Sequence, residues 1–169
     1  AAWPLMHQSL NVDVAAAGII SMTVCGGTII SAATYPMIAR KFKTAPITAI
    51  SIALTASGLL SFGFINNFWA LLPFALILGL GGGCVDSALN NYVALHYKGR
   101  EMSFLHASWG IGTTVGPFLL SFLFARNLSW QYGYRYLSLF QWAICAIVTI
   151  SIPLWSKMKT VNSTNDEEE

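Results

Sequence analysis

The stretch that decides the fold is FALILGLGGGCVDSALNNYVAL, residues 74–95. Asp86 is its only charged residue, and no other acid occurs between Val14 and Gly99. An apolar run of about 20 residues is long enough to cross roughly 30 Å of hydrocarbon as a helix. A carboxylate near the bilayer centre costs about 2.5–3.5 kcal/mol on insertion scales, so such a residue usually marks an ion or substrate pathway. The stretch therefore predicts a membrane helix that carries a functional acid.

The composition excludes an ordinary water-soluble domain. The chain has 169 residues, of which 55% are hydrophobic and only 9% are charged, whereas a soluble domain has roughly 25% charged residues. A net charge of +2 gives no reason to expect a nucleic-acid partner. The three cysteines lie in apolar runs without a CxxC pair, so neither a disulfide nor a metal site is predicted. No phosphate loop or zinc motif occurs, and we expect no cofactor.

Five hydrophobic stretches are long enough to cross a bilayer. They span residues 14–39, 45–65, 69–97, 103–125 and 135–155. Backbone polar groups in lipid must be paired inside a helix or a closed barrel, and the alternating pattern of barrel strands does not occur. The sequence predicts an all-α polytopic transmembrane helix bundle over residues 1–156. The polar, acidic residues 157–169 predict a disordered cytoplasmic linker.

The basic residues predict an orientation in the membrane. Seven of the nine Lys and Arg residues fall on one side, namely Arg40, Lys41, Lys43, Lys98, Arg100, Lys157 and Lys159. By the positive-inside rule that side is cytoplasmic. We therefore expect an integral protein of the plasma (inner) membrane, with the N-terminal end outside and the C-terminal tail in the cytoplasm. The chain starts with Ala1 rather than Met, so we expect a segment of a longer protein.

The third stretch carries a group of polar residues that do not suit lipid. Asp86 and Asn90 are four residues apart and share one helix face, and Asn91 follows directly. These side chains must face a cavity or another helix. Two interpretations remain open, a transport pathway and an interhelical polar clamp.

The fourth stretch carries a second polar stripe. His106, Trp109 and Thr113 follow helical spacing and offer an imidazole, an aromatic ring and a hydroxyl. Such a mixture suits a sugar or a similar polar ligand, so we predict that these residues bind substrate together with Asn90 and Asn91. For His106 the alternative is an interfacial histidine in contact with cytoplasmic water.

Small residues at four-residue spacing predict close contact between helix backbones. They are Gly79 and Gly83 in the third stretch and Gly112 and Gly116 in the fourth, where Pro117 follows. A proline in a membrane helix is tolerated when neighbouring groups satisfy the freed carbonyl, so we expect Pro117 to bend a closely packed helix.

These motifs resemble the major facilitator superfamily, and within it the branch of fucose–proton symporters and related sugar permeases. The likeness lies in the glycines followed by Cys84, Asp86 and Asn90, and in Gly112-xxx-Gly116-Pro117. It implies that Asp86 couples transport to protons and that His106 faces substrate. It also implies that the chain forms helices two to six of a twelve-helix fold, whose first helix and C-terminal half are the chain's partners besides lipid.

The leading hypothesis is a proton-coupled secondary transporter that takes up a sugar or another small polar solute by alternating access. The alternative is proton-driven efflux of a drug or metabolite by the same fold. A hydrolase that uses Ser103 or Ser108 with His106 is disfavoured because no oxyanion motif accompanies these residues, so we predict no catalytic residues. A membrane segment without transport activity of its own also remains open.

Overall fold

The computed structural model describes residues 2–97 and 99–155, and these form helices joined by short loops. A single 3₁₀ turn, Val14–Ala16, precedes the second helix. The helices are α1 Trp3–Ser9, α2 Ala17–Ala39, α3 Thr44–Phe62, α4 Phe68–His96, α5 Gly99–Ala125 and α6 Trp130–Trp155. Five of them, α2 to α6, are long and apolar enough to cross a membrane, which confirms the predicted all-α bundle. Lys98 and the predicted linker at 157–169 lie outside the described residues.

Helix α4 is the centre of the bundle, with α2 on one side and α3 on the other. Its contact with α2 is made by backbone rather than by large side chains. A Cβ placed on Gly27 of α2 would lie 2.6 Å from Leu76 O, which leaves no room for even a methyl group. Thr28 Oγ1 also donates a hydrogen bond of 3.3 Å to Gly79 O across this contact. Small residues therefore set the distance between α2 and α4.

Helix α6 is attached to α3 by polar side chains. Four of them donate hydrogen bonds to α3 or to the residue that ends it. The pairs are Arg135 Nε to Gly63 O at 2.8 Å, Ser138 Oγ to Ala56 O at 2.9 Å, Gln141 Nε2 to Thr55 Oγ1, and Cys145 Sγ to Ala49 O at 3.5 Å. The spacing of three or four residues places all four donors on one face of α6. This interface brings α6 against the side of α3.

The short helix α1 packs over one end of the bundle. Met6 and Leu10 are buried in a cluster with Leu71 of α4 and Trp130 of α6. Trp130 Nε1 donates a hydrogen bond of 2.7 Å to Ser9 Oγ. We refer to this end as the α1 end. The end that carries residues 40–43 and Arg100 is called the basic end.

When the 3₁₀ turn is counted with α2, three predicted boundaries differ from the structure by more than one residue. The second stretch ends as a helix at Phe62 rather than at residue 65, where Gly63 follows as the C-cap. Helix α5 begins at Gly99 rather than 103, and α6 begins at Trp130 rather than 135. At α5 and α6 hydropathy locates only the apolar part of the helix, whereas backbone hydrogen bonding continues through the polar residues at its start. At α3 the opposite holds, since Phe64 and Ile65 are apolar but follow the C-cap. Arg135 consequently lies inside α6 rather than at its start.

Candidate functional site

Asp86 lies well inside the part of α4 that hydrocarbon would cover. It precedes the last residue of the helix, His96, by ten positions, which is about 15 Å at 1.5 Å per residue. The 29-residue helix exceeds the roughly 30 Å hydrocarbon layer by only a few residues at each end. The acid is therefore far from the aqueous rim of its own helix.

The face of α4 that carries Asp86 is not covered by α2 or α3. The side chain is exposed, and a Cβ built on Gly82, one turn earlier on the same face, would meet nothing within 4 Å. Within residues 2–97 and 99–155 no hydrogen bond or ion pair reaches the Asp86 carboxyl. An ionised carboxyl in a membrane needs water, a ligand or a partner group, and α4 presents this one on an open surface.

Asn90 and Asn91 point in different directions. Asn90 is half-buried, and its Oδ1 is enclosed without a hydrogen-bond donor from the described part of the chain. Asn91 is rotated about 140° from Asp86 around α4, at 100° per residue. Its Nδ2 donates a hydrogen bond of 3.3 Å to the hydroxyl of Tyr35 on α2. Asn90 thus stays beside Asp86 as an acceptor, while Asn91 joins two helices.

Tyr35 is a residue that the sequence interpretation missed. It is buried, 5% exposed, in a cluster with Ile47 and Ala88. Buried tyrosine hydroxyls usually find a hydrogen-bond partner, so a Tyr near the end of an apolar stretch is a signal for a polar contact on a neighbouring helix. The Tyr35–Asn91 pair gives Asn91 a structural role besides the predicted one in binding.

The polar stripe of α5 faces outward from the described helices. Trp109 is 70% exposed, and His106 and Thr113 are exposed as well. His106 Nδ1 lies 3.0 Å from Met102 O, and Thr113 Oγ1 donates to Gly110 O at 2.9 Å. No hydrogen bond or ring contact in the described ranges joins this stripe to the polar residues of α4.

The two polar groups nevertheless lie at matching depths. Helices α4 and α5 are antiparallel neighbours in sequence, ending at His96 and beginning at Gly99. Trp109 lies ten residues into α5, about 15 Å from the basic end, which is the depth of Asp86 on α4. Asp86 and Trp109 therefore lie equally far along their helices from the loop that joins α4 and α5.

The hydroxyls near His106 are committed to their own helix. Ser103 Oγ donates to Gly99 O at 3.1 Å, and Ser108 Oγ donates to Phe104 O at 2.8 Å. A nucleophile must instead share a hydrogen bond with its base. The geometry of α5 does not build a Ser–His pair.

The predicted packing residues fall into two groups. Cβ atoms on Gly79 and Gly83 would collide with Val24 O and Ser31 Oγ of α2, so both glycines lie where two backbones meet. Cβ atoms on Gly112 and Gly116 would meet nothing within 4 Å, and Pro117 is exposed. For these three residues of α5 close packing stays a prediction that the described helices do not test.

Comparison with known proteins gives one family match and several relatives. The family model described as Major Facilitator Superfamily matches residues 1–168. An uncharacterized transporter of Schizosaccharomyces pombe is 34% identical over 107 residues, which are 58% of this chain and 21% of that protein. MFS transporter L2 of Phoma sp. is 31% identical over 87 residues, which are 49% of this chain and 14% of that protein. Protein ZINC INDUCED FACILITATOR 1 of Arabidopsis thaliana is 25% identical over 111 residues, which are 63% of this chain and 23% of that protein. The chain spans less than a quarter of the length of each of these relatives.

Proposed function

This chain belongs to the major facilitator superfamily, and from that premise we propose that it is part of a secondary transporter which moves a small polar solute together with a proton. The five apolar helices and the family make it an integral membrane protein. The superfamily is one of transport proteins rather than enzymes. The position of Asp86 supports the proton, and the groups near it support the polar solute.

The observation that carries the proposal is the position of Asp86. The carboxyl lies about 15 Å inside the basic end of α4 on a face that α2 and α3 leave open. Keeping a charge at such depth costs about 2.5–3.5 kcal/mol on insertion scales, so a purely structural protein would lose little by replacing it. A carboxyl that meets water alternately from the two sides can take up a proton on one side and release it on the other as the two halves rock.

The solute is proposed from the groups at the same depth. The Oδ1 of Asn90 is enclosed and has no donor in the described helices. A movement of the helices that opens this oxygen would let it accept from a hydroxyl of a sugar. Trp109 presents an exposed ring as far along α5 from the α4–α5 loop as Asp86 is along α4, and an aromatic face is typical of pockets for polar rings. Assignment to the fucose–proton symporter branch is a narrower proposal, since none of the three relatives above is named for a sugar.

Efflux is the second candidate, and Trp109 is the reason to keep it. A ring that is 70% exposed attracts an organic cation as well as a sugar. Uptake assays with a panel of monosaccharides and of large apolar cations separate the two functions. A preference for the cations, with export rather than import, would replace the sugar hypothesis.

The test uses the full-length protein in sealed vesicles with an imposed pH gradient. Asp86→Asn should abolish gradient-driven accumulation of solute while solute exchange without a gradient continues, because the amide keeps the shape but carries no proton. Asp13→Asn is the matched control, since Asp13 only caps the 3₁₀ turn and Asn is as good a cap. Accumulation that survives Asp86→Asn undiminished would refute proton coupling through this residue.

A further inference from the structure

A cavity of about 410 Å³ lies at the basic end of the bundle, and Asp86 is not among its lining residues. It is formed by the start of α3, the last turns of α4 and the end of α6. Tyr92 and His96 line it from α4 and are rotated about 80–120° around the helix from Asp86. The cavity is thus distinct from the proposed solute pathway. Its volume falls in the range of small-ligand sites, about 300–1,000 Å³.

The cavity has a positive character. Lys43 is one of its nine lining residues, and none of the nine is acidic. In the part of the chain that the structure describes, Lys43 has no carboxylate within ion-pair distance. Arg40 and Lys41 lie in the same loop and add to the positive field. An anion is therefore the ligand that the charges favour.

His96 lines the same cavity as Lys43 and supplies a hydrogen-bond acceptor. Its Nδ1 lies 2.9 Å from Tyr92 O, and because a carbonyl only accepts, Nδ1 carries the proton. The ring stacks on Tyr92 with centroids 4.2 Å apart, which fixes its orientation. In the neutral ring Nε2 is then an acceptor, and an acceptor next to a cation suits a hydroxyl that belongs to an anionic group.

The start of α3 adds backbone donors to the same wall. Lys43 is the N-cap and its side chain makes no capping hydrogen bond. The N–H groups of Thr44 and Ala45 in the first turn consequently have no intrahelical acceptor. Such groups stabilise phosphate, although they support the assignment here only together with the cavity and its cation.

The aromatic residues place the cavity at the membrane surface. Tyr92 packs against Trp155 with centroids 4.7 Å apart, and its hydroxyl donates to Trp155 O at 3.4 Å. Tyr and Trp concentrate where lipid headgroups meet water. Basic pockets between transmembrane helices at this level are known to hold anionic lipid headgroups.

We propose that this cavity binds the headgroup of an anionic phospholipid that carries free hydroxyls, as phosphatidylglycerol does. The phosphate lies between Lys43 and the start of α3, and a headgroup hydroxyl donates to His96 Nε2. The acyl chains then run along the outside of α3 and α6. The proposal needs only the membrane location of the chain and is independent of the proton and of the solute.

Native mass spectrometry of the full-length protein in detergent tests the proposal, with dioleoylphosphatidylglycerol and dioleoylphosphatidylcholine as probes. Lys43→Gln should weaken binding of the phosphatidylglycerol about fivefold, since a basic residue near the surface contributes about 1 kcal/mol. The matched control is Lys41→Gln, which removes the same charge from the same loop but not from the cavity, and should change binding less than twofold. His96→Phe keeps an aromatic ring that can stack on Tyr92, but it removes both the Nε2 acceptor and the Nδ1 donor to Tyr92 O. It should weaken binding about threefold.

Three results would overturn the assignment. Equal losses for Lys43→Gln and Lys41→Gln would mean that the loop attracts anions without a defined site. Equal binding of the two lipids would remove the role of charge. Saturation by glycerol 3-phosphate in the absence of lipid, with the same dependence on Lys43, would assign the cavity to a soluble phosphate. Each variant should melt within a few degrees of the unchanged protein, which excludes misfolding as the cause of weaker binding. Lys43 is exposed, so its replacement should not disturb folding.

Discussion

Adjacent glycines in α2 allow a sharp test of the packing between α2 and α4. Gly27 is buried against α4, whereas Gly26 has nothing within 4 Å of a Cβ. We predict that Gly27→Ala destabilises the full-length protein and that Gly26→Ala does not. Both changes replace Gly by Ala one residue apart in the same helix, so both gain the same helix propensity of roughly 0.5–1 kcal/mol.

The size of the effect follows from the distances at Gly27. A new methyl group would lie 2.6 Å from Leu76 O and 2.9 Å from Leu80 N, and ordinary contact begins at 3.4 Å. Both neighbours are backbone atoms and cannot rotate away, so the helices must separate by about 0.8 Å. That movement also stretches the hydrogen bond between Thr28 and Gly79, which is already 3.3 Å long. Overpacking of this kind costs typically 1–3 kcal/mol.

The measurement is thermal unfolding of both variants in the same detergent, followed by circular dichroism. The difference in unfolding free energy between Gly27→Ala and Gly26→Ala should be about 1–3 kcal/mol, with the Gly27 variant less stable. Transport activity should fall in parallel with stability at the assay temperature. Equal melting of the two variants would refute the claim that backbone contact sets the spacing of α2 and α4.

Two further predictions concern orientation and capping. The first uses the Lys41→Cys variant of the full-length protein with all its native cysteines removed. A membrane-impermeant thiol reagent should label this cysteine only after the cells are permeabilised, because the positive-inside rule places the basic end in the cytoplasm. Labelling in intact cells would mean that the orientation is reversed. Asn67→Ala should lower the unfolding free energy by about 1 kcal/mol, because Asn67 Oδ1 accepts from two N–H groups in the first turn of α4. Asn66→Ala is its control, since Asn66 makes one exposed hydrogen bond, and chemical denaturation should rank the two variants in that order.

The fold was predictable from the sequence because lipid imposes few choices. Apolar length fixes the number of helices, and backbone pairing fixes their type. Asp13 precedes the first apolar stretch, a position typical of a helix cap, and its carboxyl accepts a hydrogen bond from Ala15 N. The hydrogen bonds between α6 and α3 were not predictable in the same way. Ser138 and Gln141 are ordinary polar residues in an apolar run, and only the approach of α3 gives them partners.

The site was predictable in its residue types but not in its geometry. Asp86 stands out because one acid in an apolar stretch is a strong signal. Asn90 and Asn91 are indistinguishable in sequence, yet one residue of helical rotation, about 100°, directs Asn91 to Tyr35 and leaves Asn90 beside the acid. Sequence spacing alone does not say which neighbour occupies each face of α4.

Exposure in a membrane helix has a different meaning for hydroxyls and for carboxyls. Thr113 and Thr114 of α5 both donate to Gly110 O, and a hydroxyl satisfied by its own helix can face lipid without a partner. Their exposure is therefore no argument for a cavity, and the binding role predicted for Thr113 rests on spacing alone. An ionised carboxylate has no such option, because it only accepts and the helix behind it offers carbonyls rather than free N–H groups. Ionised Asp86 must obtain its partner from outside α4, and this asymmetry is why the acid, rather than the larger polar stripe of α5, carries the functional argument.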